Sequence, residues 1–347
     1  MVKKHVVRML SVMVVALFMT AAAGCQTNVG ETGAADTSVD LVPGDFTVAV
    51  LQIREHPALN AAREGFINGL AEEGFVEGSN IRFNVLNPHG DMSVANQMAQ
   101  QIVDQQPDLV LSIATPSSQA LRAATREITN PPPVVITAVT DPLAAGLIDS
   151  FERPNTNFTG TSDLTPVENQ FILLQRLLPD VQTVGIMYNA GEINSVIQAD
   201  MAAAAARDLG LAYIRATVTG TVDVAQVAEA LVGQVDVVYT PTCNTMAEAM
   251  SLLVMIAAES ANIPVIAGER GGVVLGALAT EGIDYYQLGR QTAVMAAEIL
   301  RGEAQPQDMP IQWQDIERTN TVINITTAER LGITIPEDIL AEAEVLE

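Results

Sequence analysis

One order of strand and helix signals occurs twice along the chain. Residues 46–52 (F-T-V-A-V-L-Q) read as a strand. A helix follows over 58–73, with Leu59, Ala62, Phe66, Ile67 and Leu70 on one face. Residues 81–86 read as a second strand, and Asp91 is placed to cap a helix running to 105. The run L-V-L-S-I-A at 109–114 is almost wholly apolar on both alternating faces, as a strand inside a parallel sheet must be. A helix from Ser117 to about 127 and a strand over 134–139 complete the first set. From residue 183 the order restarts, with strands at 183–188, 212–217, 236–240 and 263–266. Helices fall at 194–209 and from 223 to about 231, with Asp223 in the role of Asp91. This repetition predicts an α/β protein built from two doubly wound parallel-sheet lobes.

The 347 residues suffice for two such lobes. Stretches at 155–163, 278–286 and 309–313 are suited to cross between them, giving a hinge of three crossovers with a cleft between the lobes. The expected division is 46–162 plus about 281–309 for the first lobe, and 163–280 plus about 310–347 for the second.

The chain starts as an export signal. Lys3, Lys4 and Arg8 precede an apolar stretch over 9–23, which is short for a membrane span and ends in A-A-G-C at 22–25. A signal peptide over 1–24 and lipidation of Cys25 are expected, with 25–45 as a flexible tether. Lys3 and Lys4 are the only lysines, and the whole chain has 17 Lys and Arg against 41 Asp and Glu. Loss of 1–24 makes it more acidic still, which argues against nucleic acid or anionic lipid as a partner. The membrane is then reached through the lipid anchor only. With Cys25 lipidated, Cys243 has no disulfide partner within the chain. His5, His56 and His89 show no metal-ligand spacing, so no metal site is expected. Phosphate-loop and dinucleotide glycine patterns are absent, and no cofactor is called for.

In open parallel α/β sheets ligands sit beyond the carboxyl ends of the strands. Those ends supply Gln52, Glu55 and His56; Thr115, Ser117 and Ser118; Thr140 and Asp141. In the second half they supply Asn189, Glu192, Asn194 and Ser195; Thr242, Cys243 and Asn244; and Glu269. Hydroxyls and backbone N–H groups suit a carboxylate, and the side-chain carboxylates suit an ammonium. The expected ligand set is Gln52, Glu55, Thr115, Ser117, Ser118, Thr140, Asp141, Asn189, Glu192, Asn194, Ser195, Cys243, Asn244 and Glu269. Bland readings stand beside it: Ser117 and Ser118 as helix caps, Thr140-Asp141 as a turn, and residues 189–195 as a solvated helix start. Cys243 is a nucleophile only if a base lies beside it.

Several motifs resemble one family: E-H-P-A at 55–58, S-I-A-T-P-S at 112–117, T-A-V-T-D-P at 137–142 and T-G-T-S-D at 159–163. Further matches are Y-N-A-G-E-I-N-S at 188–195, G-A-L-A-T at 276–280, I-D-Y-Y-Q-L-G-R at 283–290 and L-G-I-T-I-P at 331–336. They resemble the substrate-binding lipoproteins of ABC importers, in the group with tryptophan- and other aromatic-amino-acid-binding members. The resemblance implies a type I periplasmic-binding fold and a monomer outside the cytoplasm. It also implies capture of a small organic ligand, an aromatic or branched amino acid among the candidates, and its delivery to a permease with a cytoplasmic ATPase. Where such proteins often carry Asp-Asn, the Asp serving the ligand's ammonium, this chain has Cys243-Asn244, which leaves two alternatives: Glu269 or Glu192 takes that role, or the ligand is not a standard amino acid. The rival readings are a ligand-binding sensory module and an exported enzyme using Cys243; the leading one is a binder with no catalytic residue.

Overall fold

A computed structural model describes residues 41–314 and 320–347. The expected signal peptide, Cys25 and most of the expected tether lie outside the described residues. Strands β1 (Phe46–Gln52), β2 (Ile81–Leu86), β3 (Leu109–Ile113), β4 (Val134–Val139) and β5 (Phe158–Ser162) alternate with helices α1 (Pro57–Glu72), α2 (Met92–Gln105) and α3 (Thr115–Thr125). Every residue of β3 and β4 is buried, as strands covered on both faces require, whereas the edge strand β2 is half exposed. Asp91 caps α2 as its position predicts, its Oδ1 accepting from the N–H groups of Ser93 (2.7 Å) and Val94 (3.1 Å).

The second half holds α4 (Val167–Leu177), β6 (Thr183–Asn189), α5 (Ile193–Asp208), β7 (Ala212–Val218), α6 (Val224–Val232) and β8 (Val237–Thr240). It continues with α7 (Asn244–Glu248), α8 (Met250–Val254), β9 (Val265–Ala267), α9 (Arg270–Val274) and β10 (Ala279–Gly282). Asp223 does not repeat the cap. A 3-10 turn over Thr221–Asp223 precedes α6, and the carboxylate accepts instead from the Thr219 N–H (2.9 Å) and hydroxyl (2.6 Å). Helix α10 (Tyr285–Leu300), β11 (Gln312–Trp313), β12 (Asn320–Asn324), α11 (Ile325–Leu331), α12 (Glu337–Glu342) and β13 (Glu344–Leu346) follow.

The strands form two sheets, ordered β11-β5-β4-β3-β1-β2 and β13-β12-β10-β9-β8-β6-β7. Stripped of their late additions, both read 2-1-3-4-5, so the sequence repeat is a repeat of topology. All pairings are parallel except β10 with β12. The first crossing is shorter than expected: 158–162 is β5, inside the first sheet, and the chain passes over only between Ser162 and Val167. The second runs from Gly282 to Tyr285. The third was expected near 309–313, with the second lobe resuming at about 310. Gln312 and Trp313 instead pair with Thr161 and Ser162 of β5, so this crossing follows Trp313, and 315–319 lie outside the described residues. An edge strand of two residues carries no periodicity that could announce it. Among the described residues no helix is long and apolar enough to cross a membrane.

After leaving the second sheet the chain returns as α10 to pack on α1. Glycines let the two backbones meet. A Cβ on Gly65 would stand 2.0 Å from the Tyr286 carbonyl oxygen, and one on Gly289 would stand 2.0 Å from that of Ala62. The obstructing atoms are backbone, which cannot rotate away. Gly289→Ala is therefore expected to destabilise the fold by about 2 kcal/mol or more, an overpacking cost, read as a lowered denaturant midpoint in equilibrium unfolding.

Candidate functional site

A 2-1-3-4-5 sheet reverses its strand order between the first and third strands, and the crevice for a ligand opens at their carboxyl ends. In the first lobe those ends are the β1–α1 and β3–α3 turns; in the second they are the β6–α5 and β8–α7 turns. A small cavity of about 20 Å³ lies between the β1–α1 turn of the first lobe and the β6–α5 and β8–α7 turns of the second, and no residue of the β3–α3 turn lines it. His56, Leu59, Ala138 and Asp163 line it from the first side, with Asn194, Thr242, Cys243, Asn244, Ala247 and Glu269 opposite and Tyr285 at the hinge.

The first lobe strains its backbone here. Ala114 has φ 80° and Ala138 φ 55°, both in the left-handed region that costs a residue with a Cβ about 1–3 kcal/mol. They end neighbouring strands, joined by the Ala114 N–H donating to the Thr137 carbonyl at 3.1 Å. The turn at Ala114 starts α3 at Thr115, ahead of the expected Ser117. Neither serine acts as the cap: Ala114 holds that position with no side-chain bond. Ser118 Oγ lies 2.7 Å from Ser112 Oγ and donates to the Ala114 carbonyl, tying helix to strand. Thr115 Oγ1 and Ser117 Oγ are buried in the first turn of α3 without any hydrogen-bond partner.

The hinge side carries buried acid. Asp163 accepts from the Thr140 hydroxyl (2.9 Å) and the Tyr285 hydroxyl (2.7 Å), yet burial raises its pKa above the ordinary carboxylate value. Glu269 caps α9 by accepting from the Gly271 N–H, and burial pushes its carboxyl up to about 7. Burial also holds His56 down at about 4, so the imidazole is neutral, with neither ring nitrogen hydrogen-bonded. Asn194 Oδ1 and Thr242 Oγ1, on the facing wall, are likewise buried and unpartnered.

The remaining expected residues divide. Gln52 is buried but occupied: it donates to the Arg54 carbonyl (2.9 Å) and Asn60 Oδ1 (2.7 Å), and accepts from Arg63 (2.9 Å). Glu55 is exposed, one residue out of phase with His56. Asp141 is partly exposed and accepts from the Ala144 N–H at 2.9 Å, as a turn residue does. Glu192 is not free for an ammonium. Its carboxylate caps α7, accepting from Asn244 N (2.9 Å) and Nδ2 (2.8 Å), and from Thr245 N (3.0 Å) and Oγ1 (2.6 Å). Asn189 donates to Thr245 Oγ1 (2.9 Å), and Ser195 lies beside Glu192, so both belong to the same network. Asn194 Nδ2 donates to the Thr242 carbonyl (2.9 Å). Burial, then the nearby Glu192, pushes the Cys243 thiol up to about 12, and its sulfur accepts from the Asn189 N–H at 3.4 Å. Asp163 and Tyr285 were absent from the expected set. Both stand in motifs singled out at 159–163 and 283–290, but as crossing segments rather than as strand ends.

Residues 47–346 match the ABC transporter substrate binding protein family. The chain belongs to this family. This substrate-binding protein is 35% identical over 310 residues to a tyrosine-binding protein of Clostridioides difficile, covering 89% of this chain and 88% of that one. Among solved structures it resembles a conserved domain protein of Vibrio cholerae (TM-score 0.83, 41% identity, 87% and 99% of the two chains). It equally resembles a domain from Streptococcus pneumonia in complex with L-Trp (0.83, 34%, 87% and 100%). A ligand-free, open substrate-binding protein with adhesive properties from Clostridium difficile gives 0.65 at 38% identity, over 87% and 99%.

The two perturbed groups set opposite pH dependences. Between about 4.5 and 7 the folded state keeps a proton on Glu269 that the unfolded chain releases, so this contribution falls as pH rises. Between about 4 and 6.5 the unfolded chain protonates His56 while the folded state does not, so that contribution rises with pH. Glu269→Gln should remove the first alone: the variant's unfolding free energy, measured by denaturant titration across this range, should climb with pH more steeply than the parent's.

Proposed function

We propose that this substrate-binding protein captures an α-amino acid with an aromatic side chain in the interlobe cavity and delivers it to its permease. The carrying observation is one of complementary chemistry. Polar atoms of His56, Asn194 and Thr242 stand unpartnered in a closed space that Asp163 and Glu269 border. Unmet buried hydrogen-bonding capacity costs free energy, and a polar ligand supplies what is missing. The ligand's ammonium goes to Asp163 and Glu269. Its carboxylate goes to the first turn of α3, where Thr115 and Ser117 offer unpartnered hydroxyls. Leu59, Ala247 and the ring of Tyr285 provide apolar contact for the side chain. The tyrosine-binding relative and the neighbour in complex with L-Trp support an aromatic choice.

Binding without catalysis is the reading that the chemistry favours. The Cys243 thiol is neutral, and its neighbours are backbone N–H groups and the Ser195 hydroxyl rather than a base. The A-A-G-C motif supports anchoring through a lipid on Cys25, with the protein working as a monomer on the outer side of the membrane.

L-Tyrosine and L-tryptophan are expected to raise the melting temperature, adding about 2.7 kcal/mol at a hundredfold excess over Kd. No shift with any aromatic amino acid would refute the reading. Ser117→Ala and Thr115→Ala should each weaken binding by about 1 kcal/mol or more in calorimetry. An ammonium beside Glu269 favours the ionised carboxylate. Binding near pH 7 should therefore release a fraction of a proton, visible as a dependence of the binding enthalpy on the buffer, and Glu269→Gln should abolish that dependence.

A further inference from the structure

Arg54, in the turn after β1, pairs with Glu248, the last residue of α7, 194 positions away. Among the ion pairs of the described residues it alone joins the two lobes; the others stay within one. Its position is tied to the cavity on both sides. His56, two residues beyond Arg54, lines the cavity from the first lobe, and Ala247, immediately before Glu248, lines it from the second.

The arginine is held ready for this contact. Its side chain is 12% exposed, against 44% for Glu248. Gln52, buried and clamped by Asn60 and Arg63, holds the Arg54 carbonyl. On the other side the guanidinium lies against Gly90, where a Cβ would stand 2.0 Å from Nη2, and the Gly90 N–H is fixed to the Ile53 carbonyl at 2.7 Å. A guanidinium ordered in advance loses little side-chain entropy on pairing, which is the cost that makes ordinary surface pairs weak.

We propose that Arg54 and Glu248 form a gate across the mouth of the cleft that holds the closed state and sets how fast a captured ligand leaves. This rests on the ligand-capture reading for its kinetic part only; lobe closure is measurable without any ligand. Opening the cleft separates the pair, so its loss acts on release rather than on encounter.

The test uses the full chain and Glu248→Gln, an exposed, near-isosteric change. With L-tyrosine as probe, stopped-flow displacement should show release about fivefold faster in the variant. About 1 M salt should speed release from the parent and leave the variant unchanged. The double variant Arg54→Glu with Glu248→Arg should release more slowly than Arg54→Glu alone. In ligand-free protein, small-angle scattering should give a larger radius of gyration for Glu248→Gln than for the parent. Release within 1.5-fold of the parent, or equal radii should L-tyrosine not bind the parent at all, would overturn the gate. Failure of L-tyrosine to bind the parent counts against the ligand reading and leaves the scattering comparison to decide the gate.

Discussion

The carboxylate of Asp163 holds the hinge together. It lies at the start of the first crossing and accepts from Tyr285, at the end of the second, and from Thr140, at the end of β4. Three segments at the junction of the lobes thus share one buried carboxylate. Burying a carboxylate without a cation is expensive, and its raised pKa records that the two hydroxyls offset only part of the cost. Glu269, nearby and also pushed up by burial, adds to the same deficit of positive charge. The closed cavity is therefore a poor place for another anion and a good one for a ligand's cationic end. Fold, hinge and ligand polarity meet in this one cluster.

The two lobes share a topology but not a chemistry. In the first, a strained turn at Ala114 leaves the start of α3 with no side-chain cap and two unpartnered hydroxyls. In the second, the corresponding start of α7 is already filled by the protein's own anion, Glu192, through four hydrogen bonds to Asn244 and Thr245. A helix start that carries its own carboxylate has no remaining attraction for a ligand's. The duplication thus leaves the start of α3 without a carboxylate of its own, while that of α7 is filled.

Much of this was legible in the residue pattern. Buried parallel strands announce themselves as apolar runs, and β1, β2 and β4 fall at the expected residues. The repeat of strand order followed from the same signals. What escaped depended on contacts between distant segments. A carboxylate near a helix start looks the same in sequence whether it caps that helix, as Asp91 does, or turns back to Thr219, as Asp223 does. Glu55 and His56 differ by one position, and which of them faces the cleft is set by how the turn after β1 leaves the sheet. Glu192 was read as a ligand contact because its capping partners lie more than fifty residues away. Asp163 was read as hinge, when the hinge is also a wall of the site.

Cys243 makes sense in this setting. It precedes α7 at the cavity wall, with the Glu192 carboxylate close enough to raise its pKa. A second carboxylate there would face Glu192 across a buried space, and like charges at such range destabilise one another strongly. A neutral thiol accepts the Asn189 N–H without adding charge beside Glu192, which caps the helix that carries Asn244, Ala247 and Glu248. The departure from Asp-Asn therefore relocates the negative charge of the site rather than removing it: it moves from the β8–α7 turn to Glu269 and the hinge. On the proposed reading the ligand's cationic end goes toward Glu269 and the crossings, where a positive charge offsets the cost of the buried carboxylates Asp163 and Glu269.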